Sequence, residues 1–527
     1  MTDRTLTRKS AVAICAVFSV ALIFSVIRAY ANRISIGYTD SAGFMELISK
    51  SGLTKPLESV YFSSSTRLFS LYGESSQKIC DMIPEPYTGT RSVFSGHPYF
   101  ISVFGSAISW ITRLPPNVVA AFMLVGSFLL GFYSILFFLI KNNVSVFSTA
   151  VFGFTICCYP VLTQSLLGQP YFDRLIFGPA ISLFLLIWSS KYRSENKWIL
   201  ISVLTTVLAL ISERGAALAG LLSFGYLLML HGKSVFIRKE LLLIWLSGLF
   251  SLLFLIIWSQ VWQDSAAYSQ ISVQSWLNRL ESLFSEPYFD ATKLFFVVSA
   301  SFMIIAIFAG RGFVLLIIAT APNLLIGVGG AELNGFVTHY HQVYLPILLA
   351  ASTLGFTKIA GLTKRMIRGH KSNVLNSAFV LVFAGISLGY NFNSTTPYYR
   401  VSALSDAQAL WLPFTVEYDL ESRETIFQQR IVSDFVAGVG VSPVSAPESM
   451  YPALLLSGVE VVEYWPFGVG SARVVVAPYM NGLPNVLPHS DPQGSTLELQ
   501  QCVQTAFDEN YELIKVFDGD IRVYLRN

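Results

Sequence analysis

The chain has 527 residues, of which 53% are hydrophobic and only 13% charged, with 41 Phe and 24 Tyr. Soluble domains carry about 25% charged residues, so this composition excludes an ordinary soluble protein and reads as a polytopic α-helical membrane protein. The net charge of +3 is small and dispersed, which argues for no nucleic-acid partner, and five cysteines without C-x-x-C or His/Cys ligand spacing argue for no structural zinc site.

Arg4, Arg8 and Lys9 precede an apolar run over 11–27, followed by "RAYAN" with a small-x-small triplet. The run is longer than a signal-peptide core and Arg28 lies close to the would-be cut, so it reads as an uncleaved anchor. About eleven apolar runs read as helices, because backbone polar groups in lipid must be satisfied internally. They lie near 11–30, 117–140, 145–164, 174–190, 198–212, 214–231, 241–262, 293–309, 313–329, 343–360 and 374–391.

With this count, every short basic connection falls on one side: Arg4/Arg8/Lys9, Lys141, "KYRSENK", "GKSVFIRKE", "GRG" and "LTKRMIRGHK". The positive-inside rule makes that side cytoplasmic. One span more or fewer would set "KYRSENK" opposite "KRMIR". Counting 97–112 as a span would put Lys141 outside; at roughly 23 Å of helix it reads as an interfacial helix on the outer face. The stretch 198–231 would be about 50 Å as one helix, too long for a ~30 Å core, and "SERG" divides it at an outer turn. The outer side then holds a long first loop (31–116), "GQPYFDR", "SERG", 263–292, "AELNGFVTHYHQ" and everything after about 392.

From about 393 the pattern changes to β-branched runs of period two, "VEVVEYW", "ARVVVAP" and "IRVYLR". Helical patterns at 422–437, 447–457 and 496–509 lie between them. "VFDGDIRVYL" reads as a hairpin turning at Asp518-Gly519. The chain divides into a membrane domain, 1–392, and an extracytoplasmic α/β domain, 393–527. The tail has no dinucleotide fingerprint and no nucleophile elbow, so it reads as a structural or substrate-guiding cap.

Ionisable residues cluster at the outer helix ends: Asp40, His97, Asp173/Arg174, Glu213/Arg214, and His339 with His341. Each has a bland explanation. Asp40 could cap the helix from Ser41, and the Asp/Arg and Glu/Arg neighbours could neutralise one another. Together they come from four separate connections on one face, where ionisable groups are costly and tend to be functional. Cys80 and Cys502 also lie outside, where disulfides persist. Either they are bridged, which would pin the tail to the first loop, or they are separate thiols.

An acid soon after the first span, a long outer loop ending in "HP" and an amphipathic segment, and Arg113-Leu114-Pro115 opening the next span resemble the GT-C superfamily of membrane glycosyltransferases. Protein mannosyltransferases and lipid A aminoarabinose transferases share that layout. "YTDSAGFMELI", "GHPYFISVF", "YFDRLIFGPA", "SERGAAL", "THYHQVYLPILLAA" and "VSAPESMYPALLLSGVEVVEYWPFG" resemble, more closely, a bacterial multipass inner-membrane family known only as a domain of unknown function. Those relatives usually carry a Lys-Glu-Asp turn where this chain has Glu213-Arg214-Gly215.

The resemblance implies transfer of a sugar from a polyprenyl-phosphate donor to a glycan, lipid or protein acceptor at the outer face of the inner membrane, with inversion. Asp40 matches the first-loop acid and would be the general base. The leaving phosphate needs cations, for which Arg214 and Arg174 are candidates with His97 assisting. Asp40, Asp173, Glu213, His339 and His341 could instead hold a divalent metal, and the sequence leaves that open. The rival class is a non-catalytic transporter, lipid-linked sugar flippase or envelope-assembly protein. It is disfavoured because no inverted repeat is visible and the charges gather on one side.

Overall fold

The computed structural model describes residues 101–157, 171–188, 197–229, 302–326, 342–367, 370–393, 420–447, 450–459, 462–486 and 497–527, with isolated positions in 45–100, 159, 162 and 299–300. In chain order the elements are β1 (Glu58–Ser59), β2 (Arg91–Ser92), α1 (Ile101–Thr112), α2 (Pro116–Lys141), α3 (Val146–Cys157), a 3-10 turn (Phe172–Ile176), α4 (Phe177–Trp188), α5 (Lys197–Ile211) and α6 (Glu213–Met229). Then come α7 (Arg311–Ile326), α8 (Leu345–Met366), α9 (His370–Asn393), α10 (Leu420–Val439), β3 (Val444–Ala446), α11 (Tyr451–Leu456), β4 (Val462–Tyr464), β5 (Val474–Met480), β6 (Leu483–Pro484), α12 (Leu497–Asn510), β7 (Tyr511–Phe517) and β8 (Ile521–Arg526).

The chain forms two compact units. One contains the described residues of 121–393. The other joins those of 45–92 and 102–120 to 420–527.

In the first unit, α2 and α8 are long and apolar enough to cross a membrane, by length and composition. α3, α5 and α7 contain shorter apolar helices, as does α1 of the second unit. The expected runs at 11–30 and 241–262 lie outside the described residues. Helix α4 is apolar on every side and buried over nearly its whole length, as such a helix must be. Glycines let its neighbours approach closely. A Cβ on Gly178 would run into the Ser127 carbonyl of α2, and one on Gly355 into the Ile305 carbonyl. Rings fill the remaining space: Phe152 stacks on Phe356 with centroids 4.8 Å apart. Helix α8 runs on to Met366, so Lys364 and Arg365 of the expected basic loop sit in its last turn. There they complement the negative end of the helix dipole.

In the second unit, five strands pair in the order β4-β3-β5-β8-β7, with β6 on β5. β3 is parallel to β4 and β5. β8 is antiparallel to β5 and β7. The run Val474–Ala477 was expected to alternate, yet all four side chains are buried, because central strand β5 is covered on both faces. The β7–β8 hairpin forms as expected, with Gly519 and Asp520 both at positive φ.

Helix α1 is inverted relative to a soluble helix. Ser102, Gly105 and Ser106 are buried, while Trp110 is 80% and Ile111 70% exposed. Arg113, at φ 56, ends it in the left-handed region. Ser109 Oγ then donates to the Leu114 carbonyl at 2.8 Å. Pro116 starts α2 at the position where its missing N–H costs nothing. The expected interfacial segment is thus a 12-residue helix.

Candidate functional site

Asp173 and Arg174 sit on the 3-10 turn that leads into α4, and both side chains are buried. Ser127 of α2 holds this turn. Its Oγ donates to the Leu175 carbonyl at 2.8 Å and accepts the Gly178 N–H at 3.0 Å. Gly178 is what lets α2 come close enough for both bonds.

Arg214 arrives from a different connection. Ser212 caps α6: its Oγ accepts the Gly215 N–H at 3.3 Å, a backbone group with no partner inside the helix. Gly215 lies against the Leu208 carbonyl, where a Cβ would not fit, so α5 and α6 fold back tightly on each other. That turn presents Arg214, whose Nη1 donates to Asp173 Oδ2 at 2.7 Å. Asp173 is 2% exposed and Arg214 15%, so the pair is largely desolvated.

"GQPYFDR" and "SERG" therefore meet. Asp173 pairs across the fold with Arg214, a partner that its neighbour Arg174 does not announce in the sequence. The described side chains Asp173, Arg174 and Arg214 sum to one positive charge. Guanidinium groups in such a place suit planar, multidentate recognition of phosphate or carboxylate.

Asp40, His97, His339 and His341 lie outside the described residues, as does the side chain of Glu213. No group of three or more His, Cys, Asp or Glu among the described residues is placed to hold a metal. Asp173, the one expected metal ligand whose side chain is described, pairs with the Arg214 guanidinium.

Two supporting residues were missed in the sequence. Ser212 carried a legible signal, a capping residue just before a helix. Ser127 carried none, lying inside an apolar run and 48 residues from its partner Leu175.

No family profile matches the chain, and no curated protein does. Solved structures do. The chain is similar to ArnT from Cupriavidus metallidurans in the apo state, at 14% identity and a TM-score of 0.48 over 98% of each chain. Against the same protein bound to undecaprenyl phosphate, identity is 13% and the TM-score 0.48 over 97% of each chain.

Proposed function

We propose that this chain is a polytopic GT-C-type glycosyltransferase of the bacterial inner membrane. It moves a sugar from a polyprenyl-phosphate donor to a cell-envelope acceptor on the outer face. The Asp173–Arg214 ion pair carries the reading. It joins two connections expected on the outer face and, with buried Arg174 beside it, gathers two guanidinium groups of the kind that recognise phosphate.

The chemistry follows from the groups available. Asp40 takes the proton from the acceptor hydroxyl, whose oxygen attacks the anomeric carbon. The bond from that carbon to the phosphate oxygen breaks, and the electron pair stays with the phosphate. Arg214 and Arg174 stabilise the charge that develops there, with His97 assisting. Asp173 orients Arg214. Attack from the face opposite the leaving group inverts the anomeric centre. Glu213, His339 and His341 remain candidates for donor or acceptor contacts. Eleven spans, with the N-terminus inside and the tail outside, complete the proposal.

Binding of undecaprenyl phosphate to the purified full-length protein in nanodiscs tests it. Charge-assisted hydrogen bonds are worth roughly 1.5–3 kcal/mol, so Arg214→Gln is expected to weaken binding by about tenfold to a hundredfold. Equal binding by Arg214→Gln, Arg174→Gln and the unaltered protein would rule out this phosphate site.

A further inference from the structure

The Lys and Arg residues of α2, α3, α7, α8 and α9 are Lys141, Arg311, Lys358, Lys364, Arg365 and Lys371, and these five helices contain no Asp or Glu. All of these cations gather at one end of the first unit. Lys358 Nζ donates to the Ala309 carbonyl at 3.0 Å, two residues before α7 begins. Thr363, in the last turn of α8, donates to Asn376 Oδ1 of α9 at 2.6 Å. Ser148, in the first turn of α3, lies 3.3 Å from Ser377 Oγ of α9, and Lys141 closes α2 just before it. This end lies away from the Asp173–Arg214 turn. That turn leads into the start of α4, whereas a Cβ on Gly312 of α7 would meet Phe184 at 3.0 Å, about two turns further along α4.

Lys358, Lys364, Arg365 and Lys371 are exposed, and among the described residues no carboxylate pairs with them. A basic rim that served only to be solvated would keep apolar side chains out of it. Here Leu362 is 50% and Met366 82% exposed. They follow Lys358 at intervals of four residues, so one stripe of α8 carries both a cation and apolar side chains. Cations beside an apolar strip match an amphiphile: its phosphate meets the ammonium and guanidinium groups, and its acyl chain lies on Leu362 and Met366. A soluble anion would use the charges alone. We propose that this end of the first unit binds anionic phospholipids of the inner leaflet, the side on which the charge pattern sets these residues. The inference rests on the first unit lying in a bilayer, and neither Asp40 nor the transfer reaction enters it.

Native mass spectrometry of the purified full-length protein, offered equal amounts of phosphatidylglycerol and phosphatidylcholine, reads the preference directly. Each Lys or Arg near an anionic membrane surface contributes about fivefold in binding. The unaltered protein is expected to retain phosphatidylglycerol over phosphatidylcholine. The triple variant Lys364→Gln/Arg365→Gln/Lys371→Gln should lose that preference by about tenfold to a hundredfold. Lys364→Arg/Lys371→Arg keeps the charge and should stay within about twofold of the unaltered protein. Undecaprenyl phosphate binding by the triple variant should also stay within about twofold, because Arg174 and Arg214 are untouched. If the triple variant fails to fold, the unaltered protein is melted in nanodiscs of phosphatidylglycerol and of phosphatidylcholine, and a higher melting temperature in the anionic lipid is expected. Equal retention of the two lipids by the unaltered protein, equal melting temperatures in the two nanodiscs, or a preference kept by the triple variant would overturn the proposal. Displacement of phosphatidylglycerol by millimolar inorganic phosphate would mark a soluble-anion site and overturn the lipid assignment. Each of these results leaves the transferase reading standing, since that reading is tested at Arg214 and Arg174.

Discussion

Arg214 donates to Asp173 at 2.7 Å across 41 residues of sequence, and this bond ties the turn before α4 to the turn before α6. Breaking a buried pair from one side leaves a charge without its counter-ion, at a cost of about 3 kcal/mol. Arg214→Leu and Asp173→Leu should each destabilise the protein by about that much in detergent thermal denaturation. The double variant should lose less than the sum, with a coupling of about 1–3 kcal/mol. Strictly additive losses would mean that the two side chains do not depend on each other.

Gly178 sets the approach of α4 to α2. Gly178→Ala forces a methyl against the Ser127 carbonyl, a backbone atom that cannot swing aside. A destabilisation of about 1–3 kcal/mol is expected. Gly126→Ala, on the same helix as Ser127 but with open space around it, is the control and should be neutral or slightly stabilising. Equal melting temperatures for the two variants would contradict the close-packed junction.

The Cys80–Cys502 bond closes a separation of 422 residues. Proteolysis without reduction should release the two cysteine peptides as one cross-linked species in mass spectrometry. The Cys80→Ser/Cys502→Ser variant should be less stable by about 2–4 kcal/mol. Separate thiol peptides from oxidised protein would remove the tie.

Much of this architecture was legible. Helix α2 was read to within one residue at each end, because Pro115-Pro116 and the charged Lys141 bracket an uninterrupted apolar run. The hairpin of β7 and β8 announced itself through Asp518-Gly519. β3 was missed: three residues between Pro443 and Pro447 are too few to express a period of two. The 3-10 turn was read as the start of α4, since apolar spacing does not separate three residues per turn from 3.6. Helix α8 overran its expected end because charge was taken as the mark of a loop, whereas Lys364 and Arg365 favour a helix C-terminus. At the site, the residue types were visible but their partners were not. Asp173 next to Arg174, and Glu213 next to Arg214, suggest local pairs, and only folding matches Asp173 with Arg214.

The eleven-span arrangement has a direct check. Single cysteines near residues 195, 236 and 367 should be shielded from a membrane-impermeant maleimide in whole cells. Those near 70, 280 and 456 should react. Reaction at both 236 and 280 would break the alternation on which the outer-face site depends.

Transfer with Asp40 as base is tested by complementation. Envelope glycans, lipids and glycoproteins from a strain lacking the gene are compared by mass spectrometry after complementation with the unaltered chain or with Asp40→Asn. If Asp40 only caps a helix, Asn serves about equally well and the product returns. If it is the base, Asn cannot take the proton, and the rate falls by about 10²- to 10⁴-fold. The expected result is a sugar modification that is present with the unaltered chain and missing with Asp40→Asn, at equal protein levels and equal melting temperature. A product restored in full by Asp40→Asn would return Asp40 to a capping role and remove it as the base.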